Sequence, residues 1–163
     1  HAAPASLARG EWLDGCTRLA QFGDGRDGAA VVDGRLELSR DVDYEQLHIL
    51  ATGEVLTHGH LVRVRRSALI EGALRDDGGP GAPGGRVFLR ASRLAGDGTL
   101  SARGGDGSVG GGQDGGAGGE ILVITEDPTL PVGMSVSVEG GAASGSGMAG
   151  APGSVNVDHI SVP

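Results

Sequence analysis

In three stretches of this chain, glycine recurs at every third residue. The middle stretch carries Gly104, Gly107, Gly110, Gly116 and Gly119, with Gln113 in the gap. The first carries Gly78, Gly81 and Gly84; the last carries Gly141, Gly147, Gly150 and Gly153, with Ser144 in the gap. A flexible linker has no reason to keep phase. A three-residue helix of the polyproline II type does, because one residue in three then lines one edge. Where that edge meets another backbone, only glycine fits. Small residues (Ala, Ser, Asp) fill the places between. The phase predicts a bundle of three-fold helices whose N–H and C=O groups satisfy one another. Three loose surface loops are the alternative.

The segments between the tracts repeat as well. Arg86-Val87-Phe88-Leu89 aligns with Glu120-Ile121-Leu122-Val123 and with Ser154-Val155-Asn156-Val157, at a spacing of 34 residues each time. Leu61-Val62-Arg63-Val64 fits the same pattern at a spacing of 25, because its tract is shorter. Self-similarity at a fixed period signals a repeat architecture. Alternation within the segments assigns their faces. Val62, Val87, Ile121 and Val155 form one inward column; Val64, Leu89, Val123 and Val157 form the next. Arg63, Phe88, Leu122 and Asn156 point outward. Second strands are predicted around Leu69-Ile70, Leu94-Ala95, Leu130 and Ile160. Third strands are predicted at Ala73-Leu74, Thr99 to Ala102 and Met134 to Val138. Turns at Gly96-Asp97-Gly98 and Pro131-Val132-Gly133 separate them.

Stacked units of this kind predict an all-β fold: a parallel β-solenoid with a thin aliphatic core and glycine tracts stacked at one corner. Residues 24–163 form this glycine-rich domain, opened by irregular strands over Ala29 to Leu38 and Gln46 to Leu56. Residues 1–23 read as an N-terminal arm. Within it Trp12, Cys16, Leu19 and Ala20 fall at helical spacing, and Gly23 is a C-terminal stop. This short helix is expected to cap one end of the core. No equivalent cap is read after Val157, so the last strand is expected to expose apolar columns and unpaired backbone groups.

Composition agrees with a repetitive structural chain. Glycine accounts for 33 of 163 residues, against about 7% on average. Aromatics are limited to Trp12, Phe22, Tyr44 and Phe88, too few for a conventional core. The apolar runs between the tracts argue against disorder. The net charge is −8, and all thirteen basic residues are arginine. A negative chain with no basic stripe is a poor nucleic-acid ligand; Arg63, Arg65 and Arg66 read as one strand face. No segment reaches the roughly 20 apolar residues of a membrane span. His1-Ala-Ala-Pro resembles a mature end left by signal-peptide removal, with a trimmed chain as the alternative. Cys16 stands alone, and burial is its expected state, ahead of a free thiol or an intermolecular bridge.

Catalytic and metal chemistry find little support. His58 and His60, with His48 nearby, make at most half a zinc site. Asp76, Asp77, Asp97, Asp106 and Asp114 hint at calcium, but the Gly-Gly-x-Gly-x-Asp repeat is not met at Gly104 to Val109. The tracts lack the Lys-Ser/Thr of a phosphate loop. Glu71, Arg90, Arg93 and Asp97 are a remote polysaccharide-cleaving set. The expectation is no enzyme, no cofactor and no metal.

From Phe22-Gly-Asp-Gly-Arg-Asp-Gly onward, through Ile49-Leu-Ala-Thr-Gly and Ile70-Glu-Gly-Ala-Leu, the chain resembles glycine-rich extracellular β-solenoid surface and fibre proteins of bacteria. Its tracts are also similar to the polyglycine II bundles of phage tail-tip adhesins. The resemblance implies a secreted or cell-surface structural role and carries over no catalytic residue. The leading expectation is a subunit of an extracellular fibre or matrix that polymerises head to tail. Its interface would comprise Trp12, Leu13, Cys16 and Leu19 at one end and Val155, Val157, Ile160 and Val162 at the other. The alternative is an adhesin that meets a surface glycan or receptor through its tract tips (Val109, Gln113, Met148) or Phe88 and Leu122. An ice-binding face would need regular Thr or Asn columns, which the outward column does not supply.

Overall fold

A computed structural model describes residues 21–108, 113–127 and 129–160. Twelve strands run through them: β1 (Ala29–Val32), β2 (Arg35–Glu37), β3 (Val42–Tyr44), β4 (Gln46–Ile49), β5 (Glu54–Leu56), β6 (Leu61–Ile70), β7 (Ala73–Arg75), β8 (Arg86–Ala95), β9 (Thr99–Ser101), β10 (Glu120–Thr125), β11 (Ser135–Ser137) and β12 (Ser154–His159). They form two wholly parallel sheets. Sheet A runs β1-β4-β6-β8-β10-β12, with β3 also on β6; sheet B runs β2-β5-β7-β9-β11. From β4 onward successive strands go alternately to sheet A and sheet B; before it β3 and β4 both join sheet A. A sharp turn follows each sheet A strand that leads into sheet B, and in three of these turns a glycine supplies the left-handed φ, +95° at Gly34, +111° at Gly96 and +91° at Gly133.

One thin aliphatic core joins the sheets. Val62, Val64, Val87, Leu89, Ala91, Ile121 and Val123 come from sheet A, and Val55, Leu74 and Leu100 from sheet B. The 34-residue spacing is the strand register itself: Arg86, Glu120 and Ser154 are direct neighbours, as are Val87, Ile121 and Val155. Alternation buries Val87, Leu89 and Ala91 in β8 and Ile121 and Val123 in β10, as the sequence reading expected for those strands.

The spacing of 25 is corrected. Leu61 pairs with Phe88 and Val62 with Leu89, a spacing of 27. Thr57, fully buried, precedes β6 and donates its hydroxyl to the Arg86 carbonyl at 2.9 Å. Arg86 and Val87 therefore extend past the start of β6. A bulge between Val64 and Ser67 then brings the spacing to 26 at Ser67 and Arg93. The columns change accordingly: inside, Val62 joins Leu89, Val123 and Val157, and Val64 stands beside Ala91; outside, Leu61 heads the column with Phe88, Leu122 and Asn156, and Arg63 stands beside Arg90. The separate second strands are also corrected. Leu69-Ile70 and Leu94-Ala95 are the far ends of the ten-residue strands β6 and β8, and Leu130 and Ile160 lie outside strands. The third strands correspond to β7, β9 and β11. The expected helix over residues 5–22 lies outside the described residues, apart from its last two; Phe22 is fully buried.

The glycine tracts (76–85, 102–119 and 138–153) each leave a sheet B strand and return to a sheet A strand. Outgoing and return arms bond to each other and to the next tract. Gly147, Gly150 and Gly153 donate to Ser144, Gly141 and Val138, and Gly116 and Gly119 to Gly105 and Ala102. Across tracts, Gly78 donates to Arg103, Gly104 to Glu139, Gly107 to Ala142, Gly115 to Met148 and Gly118 to Ala151. Donors along one arm that face the same neighbour recur three residues apart. A Cβ on Gly104, Gly116, Gly119, Gly141, Gly150 or Gly153 would come within 3.0 Å of a carbonyl oxygen in a neighbouring arm, closer than real side chains sit. Gly105, Gly115, Gly118 and Gly140, outside the phase read from sequence, are equally enclosed.

Candidate functional site

The described residues lead to the edge of sheet A at β12. Its column mates Val87, Leu89, Ile121 and Val123 are fully buried, yet Val155 is 41% and Val157 38% exposed. Both project from β12 toward the core side, because β10 pairs with it residue for residue. Among the described residues no strand lies beyond β12. Ser154 N–H donates to the Gly119 carbonyl at 3.0 Å, and Ile160 N–H to the Thr125 carbonyl at 2.9 Å. Parallel ladders use alternate residues of a strand toward each neighbour. The amides of Val155, Val157 and His159 therefore point to the free side. β11 is the matching edge of sheet B.

Of the expected interface residues, Val155 and Val157 lie on this edge and Ile160 follows it, half-buried. Trp12, Leu13, Cys16, Leu19 and Val162 lie outside the described residues. At the tract tips, Met148 is 74% exposed, Gln113 is exposed and accepts from Ser108, and Val109 lies outside the described residues. Phe88 and Leu122 are half-buried neighbours on the outer face.

The polar candidates are engaged in holding units together. His48 meets Glu71, His58 meets Glu37 at 3.2 Å and His60 meets Asp41 at 3.5 Å; three carboxylates divide the three imidazoles. No group of three or more His, Cys, Asp or Glu is placed to hold a metal among the described residues. Asp77 accepts from Arg103 N–H at 2.8 Å, Asp106 from Ala142 N–H at 2.7 Å and Asp114 from Met148 N–H at 2.7 Å. These aspartates bind the backbone of the following tract, a role the sequence reading missed. Arg93 pairs with Asp127 at 3.1 Å, and Arg90 lies 4.9 Å from the centre of the Phe88 ring. None of these contacts joins two members of the set Glu71, Arg90, Arg93 and Asp97.

Comparison with protein-family models, curated proteins and solved structures found no match.

The outer face of sheet A carries further pairs between units. Asp43, buried, takes the Arg63 guanidinium, with 2.8 Å at its second oxygen, and Arg26 lies 3.3 Å away. Arg86 reaches Glu120 at 3.0 Å, across one 34-residue step. Asp27 receives both terminal nitrogens of Arg40, at 2.7 and 3.1 Å, and the Asp43 N–H at 2.7 Å. Arg40 first, then that backbone donor, lower its pKa to about 2. Among the described residues no helix is long and apolar enough to cross a membrane.

Proposed function

We propose that this chain is a structural subunit of an extracellular bacterial fibre or matrix and polymerises head to tail by strand addition. In this reading the strands wind as a parallel β-solenoid, and the tracts stack as helices of the polyglycine II type. The alternation of strands between the sheets from β4 to β12 and the three-residue spacing of donors support that finer description. Its partner is a second copy of itself, and secretion fits the resemblance stated above.

The observation that carries the reading is the β12 edge. Among the described residues its outward amides meet no strand, and its two valines, partly open, stand in register with a buried column. Strand addition satisfies both at once, since main-chain bonds supply affinity and the alternating pockets supply register. A head-to-tail contact of this kind does not close, so it builds a fibre. Electron microscopy of the purified chain over a wide concentration range tests it. Filaments whose rise matches one subunit are expected. Single particles at every concentration overturn it and leave the adhesin alternative.

A further inference from the structure

We infer that the return arms of the glycine block are capped on both faces by the chain's own residues, so that further copies add through the strand edges and not through these arms. The direction of assembly rests on the function proposed above; the capping does not.

The forward cap follows from position. The return arms are carried by β8, β10 and β12, so residues 34 apart occupy equivalent places. Forward-facing positions on the first two tracts are Gly81, Gly84, Gly115 and Gly118. A Cβ on Gly115 would overlap the Gly141 carbonyl, and one on Gly118 the Val138 carbonyl. Their amides donate to the tract in front. On the third tract the same places hold Ala149 and Pro152, both exposed. Each carries a Cβ where the carbonyl of a fourth tract would lie, and Pro152 has no N–H to give. The side-chain acceptors vanish too. Asp114 corresponds to Met148. Asp106 corresponds to Ala142, by the 36-residue step of β9 onto β11.

The first tract is closed on its other face. Gly116 faces the Ala82 carbonyl, and Gly150 faces the Gly116 carbonyl. The equivalent residue of the first tract is Ala82 itself, whose methyl occupies the place of an incoming carbonyl. Behind it, Glu120 N–H bonds the Gly85 carbonyl and Ser154 N–H the Gly119 carbonyl. Arg86 N–H has no preceding tract to bond. The Asp76 carboxylate takes that role at 3.0 Å and fills the space beside Gly85. Open glycine edges, like open strand edges, invite unwanted pairing; these residues close the return arms on both faces, and Gly79 of the first outgoing arm stays open.

Unit duplication in the full chain tests this. One variant repeats residues 86–119 after residue 119, and a second repeats residues 120–153 after residue 153. A third is the second with A149G and P152G in the inner copy. Amide exchange and thermal unfolding are read in dilute solution, where filament formation plays no part. The first and third are expected to protect the added tract at least 100-fold over free-peptide rates. The second is expected to leave it unprotected, with a lower Tm. Equal protection in the second and third overturns the forward cap, and an unprotected tract in the first overturns the stacking rule behind it. The absence of filaments would sink the proposed function while leaving these outcomes to stand on their own.

Discussion

Gly118 sits directly against the carbonyl oxygen of Val138, with no room for a Cβ between the second and third tracts. Gly79, on the outer face of the first tract, has nothing within 4 Å of the same position. Gly118→Ala should therefore force two backbones apart, at a cost of about 1–3 kcal/mol, as overpacking usually does. Gly79→Ala should stay within about 0.5 kcal/mol of the parent. Urea unfolding of the two variants separates an enclosed lattice from loose loops, which would tolerate both changes alike.

The aspartates of the second tract should act as backbone acceptors. Asp106→Ala removes the partner of Ala142 N–H and Asp114→Ala that of Met148 N–H. Each is exposed, so the loss should be near 1 kcal/mol. The sharper readout is local: exchange of the Ala142 amide should quicken in the first variant and that of Met148 in the second. Asn at either position retains an acceptor and should restore most of the protection.

Much of this plan was legible in the sequence, and the reasons for the misses are physical. The 34-residue step was visible because Val87, Ile121 and Val155 repeat without insertion inside the strands. The offset between β6 and β8 was misread by two residues. A shift of two keeps every side chain on its own face, so the apolar pattern cannot detect it. Thr57 and the bulge at Arg65 and Arg66 decide it, and both are tertiary features. The phase of glycines was visible, but Gly105, Gly115, Gly118 and Gly140 were not seen as necessary. An arm with neighbours on two sides needs glycine at two places in three, and sequence alone does not say which arm lies inside. The aspartates read as weak calcium candidates proved to be acceptors, because only the stacked arrangement brings the next tract's amides to them.

Acid should release one outer clamp of the opening units. Asp27 has its pKa lowered to about 2, chiefly by Arg40, below the ordinary value near 3.9. A depressed carboxyl contributes stability above its unfolded pKa and loses it as pH falls through the folded value. The contribution should be whole above about pH 4 and gone near pH 2. Carboxyl NMR titration checks this, and Arg40→Ala should return Asp27 toward the ordinary range.

Core and edge should separate by burial. Leu89 is fully buried between the sheets, so Leu89→Ala should cost about 2–5 kcal/mol. Val157, in the same column but 38% exposed, should lose less than about 1 kcal/mol on truncation in dilute solution. Under assembling conditions the order of consequence should change: Val157→Arg should abolish association while leaving the fold of the single chain intact by circular dichroism.

Amide hydrogen exchange along β12, followed as protein concentration rises, tests the assembly edge most directly. Asn156 and Asp158 face β10 and should be protected throughout. Val155, Val157 and His159 should exchange freely when dilute and become protected together as copies add. Free exchange of those three at every concentration would contradict strand addition at β12.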